Sequence, residues 1–572
     1  MNCLPIVERE LRLAARRGWT FGTRLIGAGL FMLIAGGFML INLILPSGAM
    51  GNQLGTALLF VLEWLSFVGV LSAGVFLTAD CLSGEKREGT LGLLFLTDLR
   101  GPDVVLGKLL ATSLRAAQGL VAVFPILGLP LLLGGVTGGE FWRIVLGLAN
   151  TLFLSLTLGL AVSAASRDAL KAMTGTLLGL ALVLFGPLLL DSAWEEVHPS
   201  AVEPLFALGS PGFALAQAGA SRLDDYWLSL AVTHALGWGL LGLACYWVPR
   251  TWQQKTSAAR WNIRFSLPVW LRPNPVRRAA RRTQALDRDP VAWLAARDPW
   301  LRRVVPVFVY GGLGLVALTI ALEDHGSEVG PMRLLFFYVL AIPFGLWVAA
   351  QASRFFTEGR RMGLFELLLA TPVTGAEVVR GHWTALRRLF LLPALALLVL
   401  LGVVVALQAI TMSAVFGPGP NRVGLIACKV VAGLLWLGGF GTGLGALAWF
   451  GMWMGLTSRT TTVAVLKTMA FVKVLPTLAL WFMQAVLMEV FAHSLGARTG
   501  LAVAGEWIEV LPSLILGVIW IGVDVVFIVE ARRKVAAHFR EYVSLDGRIE
   551  FASMSLPPRL VPPGSSPPPS AA

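Results

Sequence analysis

The sequence predicts an all-α polytopic membrane protein of about twelve transmembrane helices, and three observations predict it. Apolar runs near the ~20 residues that a helix needs to cross a bilayer recur from end to end. Hydrophobic residues make up 56% of the 572 and charged residues only 14%, where soluble chains carry about 25% charge. And one polar stretch is spelled twice, 274 residues apart, which divides the chain into two similar halves. The weak alternating segments of a membrane β-barrel are absent from the sequence.

The first half holds candidate spans near 23–45, 54–79, 106–134, 142–164, 172–191 and 227–248. The second holds them near 303–322, 333–355, 384–410, 425–456, 464–491 and 507–530. The segment before the first span is no cleavable signal. Glu8, Arg9, Glu10, Arg12, Arg16 and Arg17 stand where a signal peptide has its apolar core. The four cysteines, Cys3, Cys81, Cys245 and Cys428, form no CxxC and no disulfide framework.

Lys and Arg set the orientation. Pro249 to Arg303 carries 13 of them against three Asp, whereas the connections expected outside hold few and are acidic near 191–226 and 323–328. Both termini and the central linker are therefore expected in the cytoplasm, in a multi-pass inner-membrane protein. On this reading the net charge of +13 marks topology and not nucleic-acid binding. The chain divides into a first unit, 1–248, a basic linker, 249–289, a second unit, 290–534, and a tail, 535–572. The proline-rich end of that tail, from Ser555, is expected to be disordered.

The repeat is sharpest where the chain is least membrane-like. Glu85 to Lys108 aligns with Gly359 to His382 without a gap, and nine of 24 positions are identical, among them Arg87/Arg361, Gly89/Gly363, Leu94/Leu368 and Thr97/Thr371. Each copy has a charged turn, a glycine, a short apolar piece (Thr90 to Leu96, Leu364 to Ala370) and a polar turn before the third span. Such a piece is too short to cross a membrane and too apolar for water. It predicts a short helix across the mouth of each half, packed on the bundle or on a soluble partner. Two further features recur. Pro5 and Pro290 each open an amphipathic, Arg-rich segment suited to the membrane interface. GLAVSAASR at Gly159 matches GMWMGLTSR at Gly451 in its Gly, Ser and Arg.

These residues resemble the first cytoplasmic loop of type-2 ATP-binding-cassette (ABC) transporter permeases. Glu85, Gly89, Thr90, Leu91, Leu93, Leu94, Thr97, Gly107 and Lys108 stand on that pattern. In the second copy Gly363, Leu367, Leu368, Thr371, Pro372 and Gly381 do; it departs at Gly359, where the acid has slipped to Glu358, and at His382, where Lys is expected. The resemblance implies two fused six-helix units in parallel orientation, each begun by an interfacial elbow helix. It also implies that loops 80–108 and 354–382 couple to two separate cytosolic ATPase subunits. The contacts would come from Glu85, Arg87, Gly89, Thr90, Leu94 and Thr97, and from Glu358, Arg361, Gly363, Leu368 and Thr371. ATP and Mg would sit on those subunits, so the chain itself would be no enzyme and bind no cofactor.

Within this chain Gly101 to Leu109 comes nearest to a phosphate-binding loop. It has five residues between its glycines instead of four, and Leu where Ser or Thr must hold magnesium. No HExxH, GxSxG or paired-Cys metal motif occurs. Ionisable residues inside spans are functional candidates because they are costly there. Glu63 and Asp524 are the deepest acids; His234 and Glu489 lie nearer an end, and Lys467 and Lys473 are expected to snorkel. An ATP-driven exporter is thus the expected function. The alternatives are an ion-gradient-driven secondary transporter and a non-transporting membrane scaffold. The former would place acids symmetrically in its simplest form, but Glu63 maps onto Phe337.

Overall fold

Backbone amides in a bilayer must bond within their own segment, and this chain meets that condition with helices alone. The computed structural model describes residues 4–15, 19–44, 54–96, 99–197, 204–220, 223–251, 282–284, 286–296, 300–322, 330–415, 422–499 and 501–553, and among them there is no strand. Most of the linker, the Pro-rich tail and Thr97 lie outside the described residues.

The first half begins with α1 (Leu4–Ala15), α2 (Trp19–Ile44) and α3 (Leu54–Ala73), the last prolonged by a π-turn at Gly74–Thr78. Two short helices follow, α4 (Cys81–Glu88) and α5 (Thr90–Phe95). Then come α6 (Gly101–Leu127), α7 (Leu129–Leu133), α8 (Gly138–Ala165), α9 (Ala169–Val197), α10 (Pro211–Ala216) and α11 (Asp224–Thr251). The second half comprises α12 (Pro290–Ala295), α13 (Leu301–Leu322), α14 (Gly330–Arg361) and α15 (Leu364–Leu369). It continues with α16 (Gly375–Val415), α17 (Arg422–Thr457), α18 (Thr461–Met469), α19 (Leu475–Thr499) and α20 (Leu501–Ser553).

Ten helical stretches among the described residues are long and apolar enough to cross a membrane. They fall on ten of the twelve expected spans. The other two expected spans are helical over Trp19–Ile44 and Leu301–Leu322. The chain is an all-α, multi-pass membrane protein.

The helices pair in the same order in both halves. α1 and α2 run along α6, as α12 and α13 run along α16; α3 meets α8 and α8 meets α11, as α14 meets α17 and α17 meets α20. The close approaches correspond as well. A Cβ at Gly159 would overlap the Thr78 side chain, and one at Gly451 would press on Ala352 at 3.0 Å. Thr78 and Ala352 are themselves 274 residues apart. Likewise a Cβ at Gly101 would lie 2.5 Å from Pro249, and one at Gly375 would lie 2.6 Å from Phe539. Small residues let helix backbones approach where no hydrophobic effect drives association.

The described residues between α9 and α11 pack on the bundle. Asp191 accepts hydrogen bonds from the amides of Leu205 (2.9 Å) and Phe206 (2.8 Å). Ser210 donates to the Leu184 carbonyl at 2.8 Å, and the Pro211, Gly212, Ala214 and Leu215 positions of α10 are buried. Residues 205–215 thus fold back against the bundle.

Candidate functional site

Both copies of the repeated motif lie at one end of the bundle, called the loop end below. In the first copy, α4 is pinned from several sides. The Ser163 hydroxyl accepts from the amides of Leu82 (3.1 Å) and Ser83 (3.0 Å), which satisfies donors that an α-helix N-terminus leaves open. Lys86 donates to Thr251 at 2.8 Å and to the Ala164 carbonyl, so the ends of α8 and α11 both hold it. Arg87 reaches both oxygens of Asp80 at 3.0 Å. Gly89 then takes φ +74°, a left-handed conformation that a side chain would strain, and α5 starts there.

On α5 the periodicity divides the side chains cleanly. Leu91 is 1% exposed, Leu94 is half-buried, and Leu93 and Leu96 are 64% and 81% exposed. Thr90 donates to the Glu85 carbonyl at 3.3 Å and ties α5 back to α4. Beneath it Lys108, 7% exposed, bridges two acids: Glu85 at 2.5 Å and Glu10 of α1 at 2.6 Å. Burial opposes the charge on Glu10. The hydrogen bond and charge of Lys108, with help from Arg9 and Arg115, nevertheless hold its carboxyl below the usual glutamate range.

The second copy has the same backbone and a different foundation. Gly363 takes φ +65° and opens α15, where Phe365 is 1% and Leu367 71% exposed, while Leu368 is half-buried. Thr371 donates to the Leu368 carbonyl at the end of α15. All three members of the ionic bridge are replaced. Gly359 stands for Glu85, His382 for Lys108 and, counting from Pro290 as from Pro5, Ala295 for Glu10. His382 is fully buried and stacks on Phe355 with ring centroids 4.6 Å apart; Phe356 meets it edge-on at 5.1 Å. Phe365 packs on Phe356 (5.8 Å) and on Phe539 of α20 (5.7 Å). A Cβ at Gly359 would lie 2.7 Å from the Phe365 ring, so the missing acid is what admits the larger ring. Glu358 does not substitute for Glu85; it pairs with Arg354 at 3.0 Å.

The two loops touch. Arg361 reaches Glu88 at 3.7 Å, and Arg354 binds Asp168, at the start of α9, at 2.9 Å. The exposed leucines of the two short helices therefore belong to neighbouring elements at the same end of the protein.

Of the intramembrane candidates, Asp524 is 1% exposed and accepts from the Thr442 hydroxyl at 3.2 Å. Lys473 does not snorkel away. It lies on a π-turn, Ala470–Val474, with its ammonium 5.6 Å from the Trp520 ring and against Gly443, whose missing side chain makes the room. Glu63 is half-buried on α3. Its counterpart Phe337 is buried against Phe440 at 5.4 Å. His234 bonds Asn150 at 2.9 Å and accepts from the Trp238 indole at 3.0 Å. The Glu489 side chain lies outside the described residues. Among the described residues no three His, Cys, Asp or Glu gather as a metal site.

Reading along the chain misses Glu10, Lys86, Ser163, Arg354 and Phe539 as parts of this site. Lys86 and Arg354 lie within the expected loops without standing out there, and Ser163 lies in the further repeated stretch at a position where the other copy has Gly455. Glu10 and Phe539 sit in charged or apolar runs that look ordinary locally. No protein-family model matches the chain, and no curated protein matches it.

Proposed function

We propose that the chain is the permease subunit of an ATP-driven ABC transporter, built from two fused six-helix units, each begun by an elbow helix. The observation that carries the reading is the pairing of Glu85 with Lys108. The two ends of the repeated motif close on each other and hold α4, to which Thr90 ties α5 with Leu93 outward, and α15 turns Leu367 outward in the same way. Exposed leucines on neighbouring short helices at one end of a membrane protein are suited to a protein partner. The matching helix pairings and glycine contacts support two equivalent units.

On this reading the loop end faces the cytoplasm, as the Lys/Arg distribution requires, in the inner membrane. Two cytosolic ATPase subunits dock beneath α5 and α15 and carry the ATP and Mg. Their closure on ATP moves the loops, the loops move the halves, and substrate leaves outward along a path between them. Export as the direction rests on the family resemblance. The basic linker, 249–289, is a cytoplasmic connection and not a nucleic-acid site.

Co-expression with an ABC ATPase and purification in detergent tests the docking. The ATPase is expected to copurify with the intact chain and to be released by deletion or charge reversal within 85–97. Copurification that survives disruption of both loops sinks the proposal. Two ionisable groups of opposite sign, Lys473 and Asp524, both come up against Gly443 within the bundle, and this favours the ion-gradient alternative. Under that alternative Asp524→Asn abolishes transport while the loop variants leave it intact.

A further inference from the structure

Three spans of the second half bring tryptophans and cations together near the loop end. The Trp383 ring of α16 stacks on Trp449 of α17, with centroids 5.1 Å apart and planes at 29°. The Arg532 guanidinium of α20 lies over the same Trp449 ring at 5.7 Å, and Lys534 lies over Trp453 at 4.3 Å. Arg387 follows Trp383 by one helical turn and so shares its side of α16, with Arg388 beside it. α16 begins at Gly375, where Phe539 closes against it. Trp383 and Arg532 each stand about two turns, ~10–12 Å, from that point. The spans near 384–410 and 507–530 begin and end there, which is the level where Trp and basic residues meet lipid headgroups.

The charge at this place is unbalanced. Arg387, Arg388 and Arg532 are exposed, and none of them has a carboxylate partner among the described residues. Glu530 is the acid at the cluster, and Lys534 takes it at 3.1 Å. The first half has no equivalent. The repeat sets Leu109, Ser113 and Leu114 at the places of Trp383, Arg387 and Arg388, and Thr157 and Ala161 at those of Trp449 and Trp453. Counting back from Pro249 as from Phe539, Gly242 stands where Arg532 does. Orientation of a span requires cations near its inner end; it does not require them over stacked rings in one half.

We propose that this surface of the second half binds the headgroup of an acidic phospholipid from the leaflet at the loop end. The guanidiniums of Arg387, Arg388 and Arg532 hold the phosphate, with donors on a planar fork that suits its oxygens. Helix side chains incline toward the N-terminus, which for α16 is the loop end, so Arg387 and Arg388 lean back to headgroup level. The Trp383–Trp449 stack packs beside the glycerol. Beyond Arg388 the same side of α16 continues as Leu392, Leu395 and Val399, which are 69%, 47% and 67% exposed. That apolar stripe is a track for acyl chains, and it is what selects a lipid over a soluble phosphate. The site does not depend on whether an ATPase docks on the loops.

Native mass spectrometry of the full chain, delipidated in detergent and then given phosphatidylglycerol or phosphatidylcholine, reads the site directly. The wild type is expected to retain phosphatidylglycerol in preference. The triple variant Arg387→Gln, Arg388→Gln, Arg532→Gln should lose that preference several-fold, and Trp449→Leu should weaken it. A control of equal charge, Arg9→Gln, Arg302→Gln, Arg303→Gln, should keep it. Equal loss in both triple variants, or no loss in either, overturns the site, since retention then follows total charge or other residues. Displacement of the lipid by millimolar inorganic phosphate overturns the assignment to lipid. Gel filtration verifies folding; if the first triple variant does not fold, Arg532→Gln alone, at an exposed position, must show a reduced preference or the proposal fails.

Discussion

Lys108 and Glu85 stand at opposite ends of the repeated motif and meet at 2.5 Å inside the protein, with Glu10 of the first helix on the same ammonium. One lysine thereby fastens the short helix α4, which leads into α5, the third span and the amphipathic helix α1 to one another. A buried charge that loses its partner is far more costly than a pair removed together.

Lys108→Met leaves two partly buried carboxylates facing each other. We expect a loss of about 3–5 kcal/mol of stability, the usual cost of breaking a buried ion pair. The triple variant Lys108→Met, Glu10→Gln, Glu85→Gln should recover much of it. Thermal unfolding in detergent measures both. Equal stability of Lys108→Met and the wild type would show that the bridge contributes nothing.

Acid should loosen α1. The Glu10 carboxyl is held below its ordinary range in the folded protein, so its contribution is fully present above about pH 4.3, the free glutamate value. It is lost as pH falls through the lowered folded value. Proteolysis of α1 in the folded protein, followed as pH is lowered, should rise over that window in the wild type. In Glu10→Gln it should already be raised at neutral pH and respond less to acid.

Restoring the motif in the second loop should harm it. Gly359→Glu places a side chain where the Phe365 ring sits, and overpacking of this kind typically costs about 1–3 kcal/mol. Adding His382→Lys should not rescue it, because the third position holds Ala295 and no acid. A double variant as stable as the wild type would contradict the exchange of ionic for aromatic support.

Lys473 and Asp524, which both come up against Gly443, make a separate prediction. Lys473→Met or Asp524→Asn alone leaves one ionisable group unbalanced in the bundle and should lower the unfolding temperature. The double variant should regain stability, since a buried pair replaced by neutral groups is often tolerated. If the double variant is as stable as the wild type but inactive in transport, the pair serves function; if it is active, the pair is structural.

The sequence by itself determined the helical membrane class, because apolar runs of spanning length have no other stable form in a bilayer. It also located the two short helices, since Gly89 and Gly363 mark left-handed turns that few other residues adopt. These are local properties, set by residues close together in the chain. Only the tertiary structure decided what lies beneath each helix. Glu10 and Lys108 are 98 residues apart, Phe365 and Phe539 are 174 apart, and Arg354 finds Asp168 across 186. Nothing in the sequence around any of them names its partner. Ionic and aromatic supports are both sound foundations for a short apolar helix. Which one a loop receives depends on the volume and charge that distant helices bring to it.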